Sequence, residues 1–422
     1  MNASIRFKTR HSRSALLALG LLLIHGVAEL RASEWPQRRG PDNNGISGET
    51  NWVHAWPADG PPVLWKAEVR TGFSSVAAAG GRIFTLGNTN ETDTVVALDS
   101  ATGRRLWEFP YPEPLNPKMY EGGPNSTPTV AGTRVVTASR TGKVFCLDTA
   151  SGNLIRSNQL ASVVNLTNGD WGLGGSPLVV DRQVFVNFGS AVVALDVDSG
   201  QVRWQGAKEA KGKYSFTTPV LLEHPAGKVL LAHMQKALYG LAPDDGRLLW
   251  RHEFGRGYET HSADPVVTPA GVFLSSGDDG GEMVAVTAGQ ATRRWKNKNL
   301  GTFTGTAVLV NGHLFGVDAG GYKKGNQELR CVEIEEGTIR WRIPGFGQDS
   351  LIASGDRLLI LTEKGELVVV STRSDRAEEL ARSQVIGGKC WQQPVLSNGL
   401  LYVRNASGTL VCLDLRGPGG KG

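Results

Sequence analysis

Apolar and polar residues alternate with a period of two in short runs along most of the chain, and helical periodicity is scarce. Residues 95–107 show the unit most clearly. An apolar alternation ends at Asp99, Gly103 follows four residues later, and Trp107 four residues after that. The skeleton returns along the chain. Its Asp position is filled by Asp99, Asp148, Asp196, Ala242, Thr287, Glu333, Ser371 and Asp414, at spacings of 38 to 49 residues. Its Gly position holds Gly103, Gly152, Gly200, Gly246, Ala291, Gly337 and Asp375. Its Trp position holds Trp107, Arg156, Trp204, Trp250, Trp295, Trp341 and Glu379. An Asp that Ala, Thr or Ser replaces elsewhere is a turn former, not a catalytic group. Its carboxylate accepts backbone N–H groups of the turn, and Gly supplies the positive φ.

The third copy predicts four strands, at 176–180, 183–187, 191–196 and 202–204, the first opened by Ser176-Pro177. A proline at the head of a strand loses no ladder hydrogen bond. Four strands in a period of 40 to 50 residues specify an all-β fold, a β-propeller of four-stranded antiparallel blades. The eighth copy meets the end of the chain before any Trp, whereas Trp65, in Val63-Leu64-Trp65-Lys66, has no third strand before it. We therefore expect eight blades, the last closed by one strand from each end of the chain, which removes exposed edges.

The copies 97–107, 194–204 and 240–250 resemble the tryptophan-docking repeat of the pyrroloquinoline-quinone (PQQ) type eight-bladed propellers. That resemblance implies a docking role between blades for Trp65, Trp107, Trp204, Trp250, Trp295 and Trp341. The opening Trp35-Pro36-Gln37-Arg38-Arg39-Gly40-Pro41 and the closing Cys390-Trp391-Gln392-Gln393-Pro394 and Leu401-Tyr402-Val403-Arg404 are similar to exported, planctomycete-type PQQ-like repeat proteins. That group in turn resembles the outer-membrane assembly scaffold BamB.

Residues 1–32 read as a secretory signal rather than as fold. Arg6, Lys8, Arg10 and Arg13 precede an apolar stretch at 15–24, and small residues allow cleavage after Ala28 or Ala32. An uncleaved anchor is the alternative, and no Cys is placed for a lipid. Residues 33–62 form a Trp- and Pro-rich arm expected to pack by Trp35, Trp52 and Trp56, either over one end of the propeller channel or along its outside. The propeller takes residues 63–422. Five of the 45 Lys and Arg and one of the 40 Asp and Glu lie in the leader, so the remainder is near +1 and the composition calls for no nucleic acid. Cys146, Cys331 and Cys412 occupy equivalent positions in separate repeats, too far apart for disulfides. With Cys390 they are expected to be free, buried thiols.

Ligand groups belong in the loops that lead into each first strand, since those loops converge on the channel. There the candidates are Glu121, Asn125, Asp170, Trp171, Tyr214, Tyr258, Glu259, His261, Asp264, Asp349, Lys389, Trp391 and Gln392. The resemblance also brings an alternative, a PQQ- and Ca²⁺-dependent alcohol or sugar dehydrogenase. Trp171 would be the platform for the quinone, with Glu121, Asn125 and Asp264 as oxygen ligands. Against it, the chain has no adjacent cysteines and no Cys-x-x-Cys-His. His261 has no nucleophile or second metal-spaced His beside it and reads as a solvated or turn-bonding residue. Asp278-Asp279-Gly280-Gly281 reads as a hairpin turn rather than a Ca²⁺ loop, and Thr302-Phe303-Thr304-Gly305 as a strand entrance. Arg156 and Glu379, at Trp positions, read as decayed repeats, weakened seams or a surface prepared for a partner. The expectation is a monomeric, non-catalytic binding or scaffold module of the periplasm or cell envelope, with envelope proteins as partners, no catalytic residues and no metal site. A glycan-binding propeller is a further possibility, resting on aromatics at the loop entrances.

Overall fold

The computed structural model describes residues 34–57, 59–118, 120–163, 172–208, 215–255, 261–287, 289–320, 325 and 327–417. The proposed leader, and with it the cleavage site, lies outside the described residues.

Eight sheets follow one another around an axis, each built on four antiparallel strands, and one of them carries the short Ile46–Ser47 as a fifth, parallel strand. Blade 1 takes residues 77–112, blade 2 129–159, blade 3 178–206, blade 4 220–253, blade 5 266–297, blade 6 308–344, and blade 7 350–384. Blade 8 combines 395–414 with Val63–Glu68, which pairs antiparallel with Thr409–Asp414 and sets Trp65 opposite Cys412. The closure expected from the split repeat is thus observed. First strands of adjacent blades contact one another, so they ring the channel. Second and third strands are buried on both faces, as at Gln183–Asn187, whereas outer strands such as Leu154–Gln159 alternate toward solvent. The lateral position of a strand in its blade therefore sets its polarity pattern. Among the described residues no helix is long and apolar enough to cross a membrane.

The repeat skeleton is a turn and a seam at once. Asp99 Oδ1 accepts the N–H groups of Ala101 and Thr102 (3.2 and 2.9 Å), and Asp148 and Asp196 repeat the pattern. Four of the outer-strand indoles reach the following blade and donate Nε1 to the carbonyl just after the Asp position, Trp65 to Ser100 (3.1 Å), Trp107 to Thr149 (3.0 Å), Trp204 to Pro243 (2.8 Å) and Trp295 to Ile334 (2.9 Å), whereas the buried Trp250 Nε1 has no acceptor among the described residues. Trp341 reaches the Arg373 carbonyl (2.7 Å). The turn Gly lies under that indole. A Cβ on Gly152 would fall 2.5 Å from Trp107, and one on Gly246 2.3 Å from Trp204. Arg156 corrects the expectation of a weakened seam, because its guanidinium donates to the Asp198 carbonyl of the next blade and its stem lies against Gly200. An indole's one N–H and apolar face are replaced by a guanidinium fork and an alkyl stem. Glu379 instead turns to solvent and pairs with Arg382 at 2.8 Å.

All four cysteines are free and buried. Burial pushes the Cys331, Cys390 and Cys412 thiols up to about 12, which keeps them protonated and unreactive at neutral pH.

A second set of contacts runs around the channel from blade 1 to blade 6. The residue two positions before the first strand of each of five successive blades uses its N–H to bond the side chain of its counterpart in the next blade: Ser75 to Thr127 (3.2 Å), Thr127 to Ser176 (2.9 Å), Ser176 to Thr218 (3.3 Å), Thr218 to Asp264 (2.7 Å) and Asp264 to Thr306 (3.0 Å). The Ser-Pro and Thr-Pro strand openings are the trace of this relay. Pro stiffens the entry, and the hydroxyl accepts the neighbour's amide.

The arm passes through the channel, neither covering an end nor lying outside. Trp35 exchanges main-chain hydrogen bonds with Ala78 of blade 1 (2.9 and 2.8 Å), and Val130 N–H of blade 2 donates to the Pro36 carbonyl (2.7 Å). Across the axis, Arg39 Nη2 donates to the Ala307 carbonyl at the entrance to blade 6 (3.1 Å), and Ile46–Ser47 runs parallel to Ser350–Ser354 of blade 7. A segment that touches inner strands on opposite sides of the ring must fill its axis. It turns back at Arg39, Gly40, Asn43 and Gly45, all at positive φ. Trp35 packs over Gly40, and Arg39 Nη2 also donates to the Asn44 carbonyl (2.8 Å). Glu49 then accepts the N–H groups of Asn398 and Gly399 in blade 8 (2.6 and 2.5 Å), where the arm leaves.

Arg404 pins the junction of blades 8 and 1. Fully enclosed, it donates to Thr85 Oγ1 (2.7 Å) and to the carbonyls of Leu86 (2.9 Å), Arg70 (3.1 Å) and Gly72 (3.2 Å). Burial lowers its pKa to about 9, so at neutral pH it keeps its charge and its donors.

Candidate functional site

The loops entering the first strands meet at one end of the filled channel, around a cavity of about 160 Å³. Its aromatic walls come from a register. Phe73, Phe216 and Trp391 each stand four residues before a first strand, at Ala77, Val220 and Val395, and Phe303 five before Val308. Trp391 stacks on Phe73 (centroids 5.4 Å apart, planes at 30°) and meets Tyr120 edge-on at 4.7 Å and 74°. Its Nε1 donates to Glu363 Oε1 (3.0 Å), and Lys389 lies 4.8 Å from its ring centroid. The polar lining includes Arg38 from the arm, Asn125 and Arg140.

Of the residues singled out in the sequence, Asn125 and Trp391 line this cavity. Glu121 pairs with Lys389 at 3.0 Å. Asp264 stands in the Ser/Thr position of the relay, where one oxygen accepts the Thr218 N–H and the other holds Arg38 Nε at 2.8 Å. It fixes the tip of the arm instead of lining the cavity. Asp349 accepts the N–H groups of Gly347 (2.9 Å) and Glu363 (2.5 Å), and burial pushes its pKa up to about 6 despite them. Gln392 Nε2 donates to the Gly72 carbonyl (2.9 Å). Asp170, Trp171, Tyr214, Tyr258 and Glu259 lie outside the described residues. Sequence reasoning missed Arg38, Phe73, Tyr120, Arg140 and Phe216, and took Phe303 and Thr304 for a plain strand entrance, although both line the cavity. The aromatic four or five residues ahead of a Ser/Thr-type strand opening was the signal available. Asp278-Asp279-Gly280-Gly281 closes a hairpin, with Ser276 opposite Gly280.

His261 is buried, not solvated, and it lies outside the cavity lining. Its ring stacks on His233 at 4.3 Å, with Phe254 beside both, and its Nε2–H donates to the Gln235 carbonyl at 2.9 Å. Burial lowers its pKa to about 4, against the Gln235 hydrogen bond and the Asp279 charge, which raise it, and pushes His233 well down too. A histidine held neutral when folded but free to protonate when unfolded withdraws stability as pH falls from about 6.5 toward 4. For His261 the loss amounts to about 3 kcal/mol. Asp93 and Asp349, raised by burial to about 7 and about 6, act in the opposite sense. Urea unfolding at pH 7 and at pH 4.5 should therefore show His261→Phe losing less stability on acidification than the parent, because the carboxylates are common to both. Equal losses would refute the assignment.

The family described as outer membrane protein assembly factor BamB (PQQ_2) matches residues 45–119 and 91–343. The chain belongs to this PQQ-repeat propeller family. The BamB-type chain is 24% identical over 301 residues to outer membrane protein assembly factor BamB of Yersinia pestis, covering 67% of this chain and 72% of that protein. Its fold is similar to that of BamB from Moraxella catarrhalis, with a TM-score of 0.61, 13% identity, and 84% and 99% of the two chains covered. It is also similar to a europium-containing methanol dehydrogenase (TM-score 0.69, 12% identity, 88% and 89% covered). A third is the quinohemoprotein alcohol dehydrogenase of Comamonas testosteroni (0.69, 11%, 92% and 81%). At these identities the structures show the fold alone.

The oxygen donors named for a Ca²⁺-bound quinone do not fit that group. Glu121 is neutralised by Lys389 and Asp264 by Arg38, and among the described residues the cavity lining holds three cations, Arg38, Lys118 and Arg140, without a carboxylate. A divalent cation placed there would face like charge. Among the described residues no group of three or more His, Cys, Asp and Glu is placed to hold a metal ion.

Proposed function

We propose that this BamB-type propeller is an exported binding or scaffold module of the periplasm or cell envelope, working through its loop-bearing faces with envelope proteins as partners. The observation that carries this reading is the channel itself. Its own N-terminal arm fills it, and the arm's Arg38 consumes the carboxylate, Asp264, that a quinoprotein reading needs. The family's name for its curated member, an assembly factor, points the same way. A rigid eight-bladed ring with tied carboxylates and an aromatic mouth presents surface for recognition rather than an acid–base pair.

The test uses the mature chain, tagged at its C-terminus. Incubation with PQQ and Ca²⁺ followed by gel filtration should retain no quinone absorbance, and alcohols or aldoses should reduce no dye. Stoichiometric retention with turnover would overturn the reading. A pull-down from envelope extract under mild conditions should recover a stoichiometric partner, and recovery of none would also count against it.

A further inference from the structure

Asn88, Asp93 and Tyr111 stand side by side across three strands of blade 1, because the register pairs Asn88 with Asp93 and Asp93 with Tyr111. The row faces blade 2, where Tyr111 packs on Phe145 at 4.4 Å. Asp93 is fully buried, and its carboxyl accepts from Asn88 Nδ2 (2.6 Å) and from the Tyr111 hydroxyl (3.3 Å). A second buried carboxyl, Glu113, belongs to the same cluster. It accepts the Thr141 N–H (2.8 Å) and hydroxyl (2.9 Å) and meets Lys143 Nζ at 3.2 Å. Arg140 of blade 2 faces both carboxyls. Its guanidinium donates to the Pro114 carbonyl, while its buried Nε has no hydrogen-bond acceptor among the described residues. Two carboxyls in one dry site resist ionising together. Burial pushes Asp93 up to about 7, helped by the Glu113 charge and opposed by Asn88, Arg140 and Tyr111.

These groups hold the root of one loop, residues 113–123, which leads out of blade 1. Asn88 Nδ2 also donates to the Glu113 carbonyl (2.9 Å), and Glu91 Oε2 accepts the Leu115 N–H (3.2 Å). The Gly123 N–H closes the loop on the Leu115 carbonyl (2.9 Å). From this root the loop reaches across the channel mouth to the entrance of blade 8, with Tyr120 against Trp391 and Glu121 against Lys389. Arg140 thus stands between a carbonyl of the loop and a carboxyl of the blade. A guanidinium fork matches a carboxylate better than a single carbonyl. While Asp93 carries its proton, Pro114 keeps Arg140; once Asp93 ionises, Arg140 is drawn from the loop to the blade.

We propose that Asp93, Glu113 and Arg140 form a pH-operated clasp on loop 113–123, in which a proton on Asp93 keeps the root closed and its loss frees the loop that bridges the channel mouth. The inference goes beyond the binding-module reading, since it concerns access to the mouth and not what occupies it. The closed cluster holds the Asp93 proton up to about pH 7, whereas a solvated aspartate gives it up near about pH 4. Closure is therefore firmest in acid, weakens as pH rises from about 4 to about 7, and changes no further above that.

Hydrogen exchange of the mature chain at pH 5, 6, 7 and 8.5 tests the clasp, read by mass spectrometry as protection factors for peptides spanning 113–123. The buried strand Gln183–Asn187 serves as reference. Protection of the loop should fall at least about tenfold between pH 5 and pH 7 and level off above, with the reference unchanged. Asp93→Asn, which mimics the protonated carboxyl, should keep the loop protected throughout. Asp349, raised to about 6, bonds the Glu363 N–H beneath Trp391 at the loop's far contact, and it titrates in both proteins, so a dependence it causes survives in the variant. Should Asp93→Asn melt early, Glu113→Gln carries the test. With one negative charge removed, Asp93 ionises more readily, and the fall in protection should be complete at a lower pH than in the parent. Loop protection that stays level from pH 5 to pH 8.5 in the parent, the same fall in Asp93→Asn, or an unmoved midpoint in Glu113→Gln overturns the proposal.

Discussion

Gly246→Ala is expected to lower the stability of the propeller by about 3 kcal/mol, far more than the same change at Gly132. Both glycines are at positive φ, +72° and +58°, so both variants carry the left-handed backbone cost of about 1–2 kcal/mol. They differ in what the new methyl meets. At Gly132 nothing lies within 4 Å, whereas at Gly246 the Cβ would fall 2.3 Å from the Trp204 ring. The indole must lift, breaking its 2.8 Å hydrogen bond to the Pro243 carbonyl and opening the seam between blades 3 and 4. Urea midpoints for both variants, with Trp204→Leu as background, separate the two costs. A smaller side chain at 204 should bring the cost of Gly246→Ala close to that at Gly132. Equal costs at the two glycines in the parent background would refute the seam account.

Trp35→Ala is expected to release the arm from the channel at a cost of about 3–5 kcal/mol, the range for deleting a fully buried aromatic side chain. Trp35 is 1% exposed and packs in the core beside Ala78 and Ile83 of blade 1, while Gly40 closes against its ring. The loss falls on the arm first, since that element can open without breaking the eight blades. Limited trypsin digestion reads the opening directly. Arg39 is enclosed in the parent and Arg38 partly so, and both should be cut rapidly in the variant, with the propeller body surviving. Rapid cutting at Arg39 in the parent would show that the arm does not fill the channel in solution.

Much of the fold was legible because its determinants are local and repeated. Asp-x-x-x-Gly is a turn within a few residues, strand alternation is a period-two pattern, and eight registers average out decayed copies such as Thr287 or Ser371. The split last repeat, Asp414 at one end and Trp65 at the other, named the closing blade because strand count leaves one solution. Legibility ended where a side chain's partner comes from another blade. Arg156 looked like decay, yet its guanidinium serves the Asp198 carbonyl 42 residues away. Asp264 looked like a ligand group and is instead a link in the relay that also anchors Arg38, 226 residues distant. His261 looked solvated, and only its stacking on His233 shows it buried and neutral.

The chain's sequence alone determined the period, the turn chemistry, the blade number and the closure, since each follows from hydrogen bonds and apolar spacing within one repeat or between successive ones. Only the tertiary structure decided that the Trp35–Ser47 stretch fills the channel, that the turn glycines make room for the preceding blade's indoles, and that Arg38, Arg140, Phe73 and Trp391 share one cavity. The physical reason is closure. Bending eight units into a ring brings the first residues of every blade to one axis, and no pattern along a single strand records which residues meet there.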